Sequence, residues 1–179
     1  DAQSSPALQP IASVRLPGVK GRIDHLAFDP ARQRLFVAAL GNDSVEVVDT
    51  AAGAHLKSLA GFHEPQGMAF VSDADAVAIA NGDTGTLQLV DAGSLVTRWT
   101  IDIGGDADNV RDDAMAKRVY VAAVGGLYAV DAAAGKTIGH VPIDGHPESF
   151  QLESRGARVF ANLPGLLSSQ VIAGDRRGC

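Results

Sequence analysis

Short apolar runs, cut by Gly, Pro, Asn and Asp, recur along most of this chain. Leu35-Phe36-Val37-Ala38-Ala39, Ala76-Val77-Ala78-Ile79-Ala80, Val119-Tyr120-Val121-Ala122-Ala123 and Val159-Phe160-Ala161 are four of them. Runs of that length between turn residues predict β-strands, and no stretch sustains a helical period. A second series keeps the same beat: Val45-Glu46-Val47-Val48-Asp49, Leu87-Gln88-Leu89-Val90-Asp91 and Leu127-Tyr128-Ala129-Val130-Asp131. Each closes on an Asp with small residues and Gly behind it. Asp bonds its own following backbone and Gly accepts positive φ, so these ends predict tight turns. A third series opens each unit: Asp24-His25-Leu26-Ala27-Phe28, Gln66-Gly67-Met68-Ala69-Phe70 and, more loosely, Asp108-Asn109-Val110 and Glu148-Ser149-Phe150. Its members stand 42, 42 and 40 residues apart.

Each unit reads as four strands, at residues 24–28, 34–39, 44–48 and 55–59 in the first. Four strands in about 42 residues is the blade of an all-β propeller. Repeats 21–62, 63–104 and 105–145 are complete. A fourth, 146–179, supplies strands at 148–152, 158–162 and 169–173 and then stops. Residues 10–18 match the outer strands at 55–61 and 137–143, and are expected to complete that last blade. The chain then amounts to four blade-equivalents over 10–179, with 1–9 a flexible lead. Three closures stay open: a four-bladed monomer, an eight-bladed ring shared by a homodimer, and an arc of a longer propeller. Met68, Phe28, Phe70 and Phe150 alternate with the polar strand starts and are expected between blades.

Leu35-Phe36-Val37-Ala38-Ala39, Asn42-Asp43-Ser44-Val45 and Val47-Val48-Asp49 with their two later copies, together with Gly145-His146-Pro147-Glu148 at a blade start, resemble the YVTN/YncE-like bacterial propellers. That resemblance implies an exported, periplasmic propeller. It leaves activity open, because such propellers include lyases, lactonases and plain binding proteins. Asp1-Ala2-Gln3 without Met, followed by Ser4-Ser5-Pro6, reads as a terminus left by signal-peptide removal, although a shortened chain would begin the same way.

Composition narrows the partners. Hydrophobic residues are 46% and charged residues 20%, a globular balance. No apolar run nears the roughly 18 residues of a spanning helix, so no membrane span is expected. Fifteen basic against 21 acidic residues, net charge −6, argue against nucleic acid. The lone Cys179 excludes an internal disulfide and a CxxC zinc site, and is expected to be an exposed thiol.

Candidate chemistry follows from the register. The first residues of each inner strand crowd one mouth of a propeller's channel. Repeat alignment places Arg22, Glu64, Asp106 and His146 in one ring, and Asp24, Gln66, Asp108 and Glu148 in another. His25 and Asn109 follow directly, and His63 lies just before Glu64. Arg22, Asp24, Glu64, Gln66, Asp106, Asp108, Asn109, His146 and Glu148 are therefore the expected ligand contacts. Asp24, Glu64, Asp108 and Glu148 are candidate ligands for a divalent metal. Oxygen donors suit Ca²⁺ or Mg²⁺, and an added imidazole suits Zn²⁺ or Mn²⁺. His146, Glu148 and His25 are the candidates for moving a proton. Polar strand starts are also what a wet channel selects, so the pattern is compatible with water alone.

Other features carry less. His55 and His140 fall in outer strands and are expected at the surface. The run Asp106–Asp113 lacks the Gly and closing Glu of a calcium loop. Residues 81–85 and 104–105 are Gly-rich turns without a following helix, and no G-x-S-x-G elbow occurs. The expectation is a binding or scaffold module for a small molecule or protein at the propeller face. The alternative is a metal-assisted hydrolase or lyase acting there on a lactone or ester.

Overall fold

The computed structural model describes residues 8–163. Three antiparallel meanders follow one another, joined by turns. The first holds β1 (Leu26–Asp29), β2 (Arg34–Ala39), β3 (Ser44–Asp49) and β4 (Ala54–Ala60). The second holds β5 (Pro65–Val71), β6 (Ala76–Asn81), β7 (Thr86–Asp91) and β8 (Thr97–Asp102). The third holds β9 (Val110–Asp113), β10 (Arg118–Ala123), β11 (Gly126–Asp131) and β12 (Lys136–Pro142). A fourth sheet pairs β13 (Ser149–Leu152) with β14 (Val159–Asn162). The only described helical residues are two 3₁₀ turns, Leu40–Asn42 and Ser72–Ala74.

The turns form as their chemistry requires. Asp49 Oδ1 accepts from the amides of Ala51 and Ala52, Asp91 Oδ1 from Gly93 and Ser94, and Asp131 Oδ1 from Ala133 and Ala134. Left-handed backbone recurs with the repeat at Gln33, Asp75 and Lys117, where β1–β2, β5–β6 and β9–β10 reverse. At Gly135 the positive φ comes with a second demand. The Trp99 ring from β8 packs against its Cα, and Trp99 Nε1 donates to Ala132 O at 3.0 Å.

Apolar cores fill the gaps between successive sheets. Phe36, Val45 and Val47 meet Met68, Val77 and Ile79 between the first and second. Ala78, Ala80 and Leu89 meet Val110, Val119 and Val121 between the second and third. Tyr120 and Ala122 meet Phe150 and Val159 between the third and fourth. Alanines on β2, β6 and β10 let the sheets close face to face, and β1, β5 and β9 come into sequential contact. Arg32 ties the first two sheets at their other end. It donates to the fully buried Asp29 at 3.0 Å and clasps Asp75 with two 2.6 Å bonds. These are blades stacked around an axis, a β-propeller architecture.

Residues 10–18, expected to complete the last blade, pair with no described strand, Ile11 being 99% exposed. The edge proposed for them, 169–173, lies outside the described residues, as do Cys179 and most of the 1–9 lead. Two expectations are corrected. Phe28, expected between blades, is 46% exposed beside Ile23 and Leu26, because no described sheet covers that side of the first blade. His55 is not a free surface residue. Its Nε2 lies 2.7 Å from Glu46 Oε2, and the buried Glu46 also accepts from Ser44 and Ser58. His140 is exposed as expected, stacked on Tyr128.

At the end of β9, burial pushes the half-buried Asp112 up to about 6, with the charges of Asp73 and Asp113 adding to it and a backbone hydrogen bond from Ser72 opposing. The folded value lies above the unfolded one, so this group favours folding below about pH 4 and loses that contribution as pH rises through about 6. D112N should match the wild type near pH 4 and exceed it above pH 7 by up to about 1 kcal/mol, discounted for solvent screening. Urea unfolding across that range checks this, and a pH-independent difference would refute it.

Candidate functional site

The strand starts converge as blade packing dictates. Asp24 enters the first sheet through its amide, which donates to Ala38 O, and His25 O accepts from the Ala38 amide. Asp108 and Asn109 do the same against Ala122 in the third blade, and the Glu148 amide donates to Asn162 O in the fourth. The backbone ladder thus begins just ahead of β1, β9 and β13 and fixes where these side chains leave the sheets. Glu64 and Asp106 both sit in left-handed backbone at φ 50°. The Glu64 amide is held by Asp43 Oδ1 at 2.8 Å.

One open cleft of about 630 Å³ results, and all nine expected ligand contacts line it, together with His25. His63 does not. It is exposed, and its amide donates to Asn81 Oδ1. Arg22 donates to Asp24 Oδ2 at 2.8 Å, Gln66 Nε2 to Asp106 Oδ1 at 3.1 Å, and Asn109 Nδ2 to Glu148 O at 2.6 Å. His146 Nδ1 stands 3.6 Å from Asp106 Oδ2 and 4.0 Å from Glu148 Oε1.

Five carboxylates face two arginines and two histidines across this cleft. Burial pushes the Asp108 carboxyl up, the charge of Asp24 adding to it while His25 and His146 oppose. Burial likewise lowers Arg111, against the attraction of Asp108. Three polar atoms are buried here without a hydrogen-bond partner: His25 Nδ1, Asp108 Oδ1 and His146 Nε2. His25 Nδ1 does lie 3.2 Å from Asp24 Oδ1, at an angle unsuited to a hydrogen bond.

The metal candidates divide. Donor atoms of Asp24, His25 and Asp108 lie within 4.8 Å of one another. Glu64 and Glu148 line the same cleft outside that group, and His25 takes the place expected of a carboxylate.

Arg111 and Ser149 line the cleft, Gly67 lies behind it against the Asp108 backbone, and none of the three falls among the candidates read from the strand starts. Arg111 lies two residues beyond Asn109, on the same strand face, with its guanidinium 5.5 Å from the Phe150 ring centre. The signal was there, since the first two repeats carry Ala27 and Ala69 at that position. Gly67 stands where the first blade has His25 and the third has Asn109. A Cβ on it would overlap the Asp108 carbonyl, so the missing side chain lets the third blade's strand lie against the second.

Fold and mouth define a β-propeller with a polar channel entrance. Among solved structures, hydrazine synthase of Kuenenia stuttgartiensis superposes with a TM-score of 0.77 at 18% identity, covering 92% of this chain and 49% of that one. A chain of the mitotic checkpoint complex gives 0.73 at 17% identity, over 83% and 46%. Both are propeller proteins, and this chain spans about half the length of each. No family model and no curated protein matches the sequence.

G67A should displace the Asp108 backbone and cost about 2 kcal/mol, the scale of overpacking a close contact. Chemical unfolding measures this, and a loss below about 0.5 kcal/mol would show that the two strands do not depend on the bare glycine.

Proposed function

We propose that this protein is a binding module of YncE-like propeller type, exported like its kind, that takes a small polar ligand into the channel mouth. The observation that carries the reading is convergence. Four blades aim charged and hydrogen-bonding side chains into one cleft of about 630 Å³, and three of their polar atoms are buried there without partners. Buried polar groups are ordinarily satisfied, so such atoms mark places where something else bonds. The volume suits a small molecule, and the polar lining suits one rich in hydroxyl, amine or carboxylate groups. The acidic excess favours a cationic group, while Arg22 and Arg111 offer an anion its own partners.

A second reading rests on His146, whose Nδ1 faces Asp106 and Glu148 in the same cleft. An imidazole held between carboxylates is suited to move a proton, which would make the mouth the centre of a hydrolase or lyase for a lactone or ester.

A thermal-shift screen of small polar metabolites, run in parallel with a chelator and with added Zn²⁺, tests the first reading. Hits should bind the H146A/E148A double variant roughly tenfold or more weakly by calorimetry, with the fold retained. A screen without hits, or hits indifferent to that double substitution, would overturn it. Turnover of a lactone or ester that H146A abolishes would favour the second.

A further inference from the structure

We infer that Asp24, His25 and Asp108 form a divalent-cation site at the channel mouth, with a preference for a first-row transition metal over Ca²⁺ or Mg²⁺. The inference deepens the binding reading: the metal's part in holding a ligand rests on that reading, while the site itself stands on its own donors. Its donors come from two blades that are not neighbours in the stack. Asp24 and His25 precede β1, and Asp108 precedes β9, with the whole second blade between them in sequence. Their ligand atoms nevertheless lie within 4.8 Å of one another.

Two carboxylates brought together in this way need a reason. Arg22 engages Asp24 through Oδ2, which leaves Oδ1 directed at His25, 3.2 Å from its Nδ1. Asp108 is 7% exposed, and its Oδ1 is buried without a hydrogen-bond partner, while His25 Nδ1 makes no hydrogen bond and meets only Asp24 Oδ1. A buried carboxylate oxygen with nothing to accept from is costly, and a cation bound by these donors would satisfy all three at once. Gly67 adds an independent observation. The middle blade gives up a side chain at the position where the flanking blades carry His25 and Asn109, and the Asp108 backbone fills that space.

The donor set selects the metal. Ca²⁺ and Mg²⁺ take oxygen ligands, whereas an imidazole with two carboxylates suits Zn²⁺ and its neighbours. Three protein ligands leave coordination free on the side of the cleft, the arrangement of a metal that also holds a small molecule. An anionic oxygen of the mouth's ligand is the group that would occupy it.

Titration of the metal-stripped protein with ZnCl₂, and separately with CaCl₂, tests the site by calorimetry. Zn²⁺ should bind with one ion per chain and Ca²⁺ roughly tenfold or more weakly. D108N and H25A should each weaken Zn²⁺ by roughly tenfold or more, their folding checked by circular dichroism. D112N, at the far end of β9, should stay within about twofold. Absence of Zn²⁺ binding, or equal binding by D108N and H25A, would overturn the site. Metabolite hits found in the chelated arm of the screen would stand in that event. A Zn²⁺ site with no metabolite hit would instead remove the ligand reading and keep the metal.

Discussion

Face-to-face packing of sheets sets the distance between neighbouring blades, and the geometry of the mouth inherits that distance. Each blade buries apolar residues on both faces, as Ala38 and Val37 do in β2 or Ala78 and Val77 in β6. Neither face can be covered from within the blade, so each sheet is stable only against the next. Small side chains at these positions bring the sheets close, and the inner strands then meet near an axis. The polar residues ahead of β1, β5, β9 and β13 are pressed together as a by-product of apolar packing.

That compression explains the electrostatics. In an isolated blade, Asp108 would be solvated and unexceptional. Against Gly67 and facing Asp24 it loses water, and its carboxyl moves up. Arg111 is dehydrated by the same closure and is lowered in turn. The fold spends its hydrophobic driving force to hold charges where water would not have left them, a recurrent property of functional sites.

Much of this was legible in the chain because the blade repeat enforces it. The β-strand period and the Asp-capped turns place β2, β3, β6, β7, β10 and β11 to within a residue or so, and the register alone groups the nine mouth residues. What escaped depends on neighbours rather than on local pattern. Phe28 looks like any core phenylalanine, yet its burial requires a sheet on a side where none is described. His55 sits in an outer strand, but Glu46 reaches it across the ladder and makes it part of a buried polar network. Arg111 lies past the strand start, where alternation carries the same face two residues further. Gly67 could be counted as a repeat landmark, but its role lies in the strand of another blade.

The stacking of blades has a mechanical consequence for the mouth. A chain whose sheets touch mainly their immediate neighbours can come apart one blade at a time. Asp24 and Asp108 approach across a gap that no apolar core bridges directly, because the second blade's sheet stands between their own. Anything gripping both would act as a strap between the first and third blades, coupling two interfaces that are otherwise independent. Occupancy of the mouth would then be felt as cooperativity in unfolding, with the blades opening as one body instead of one at a time.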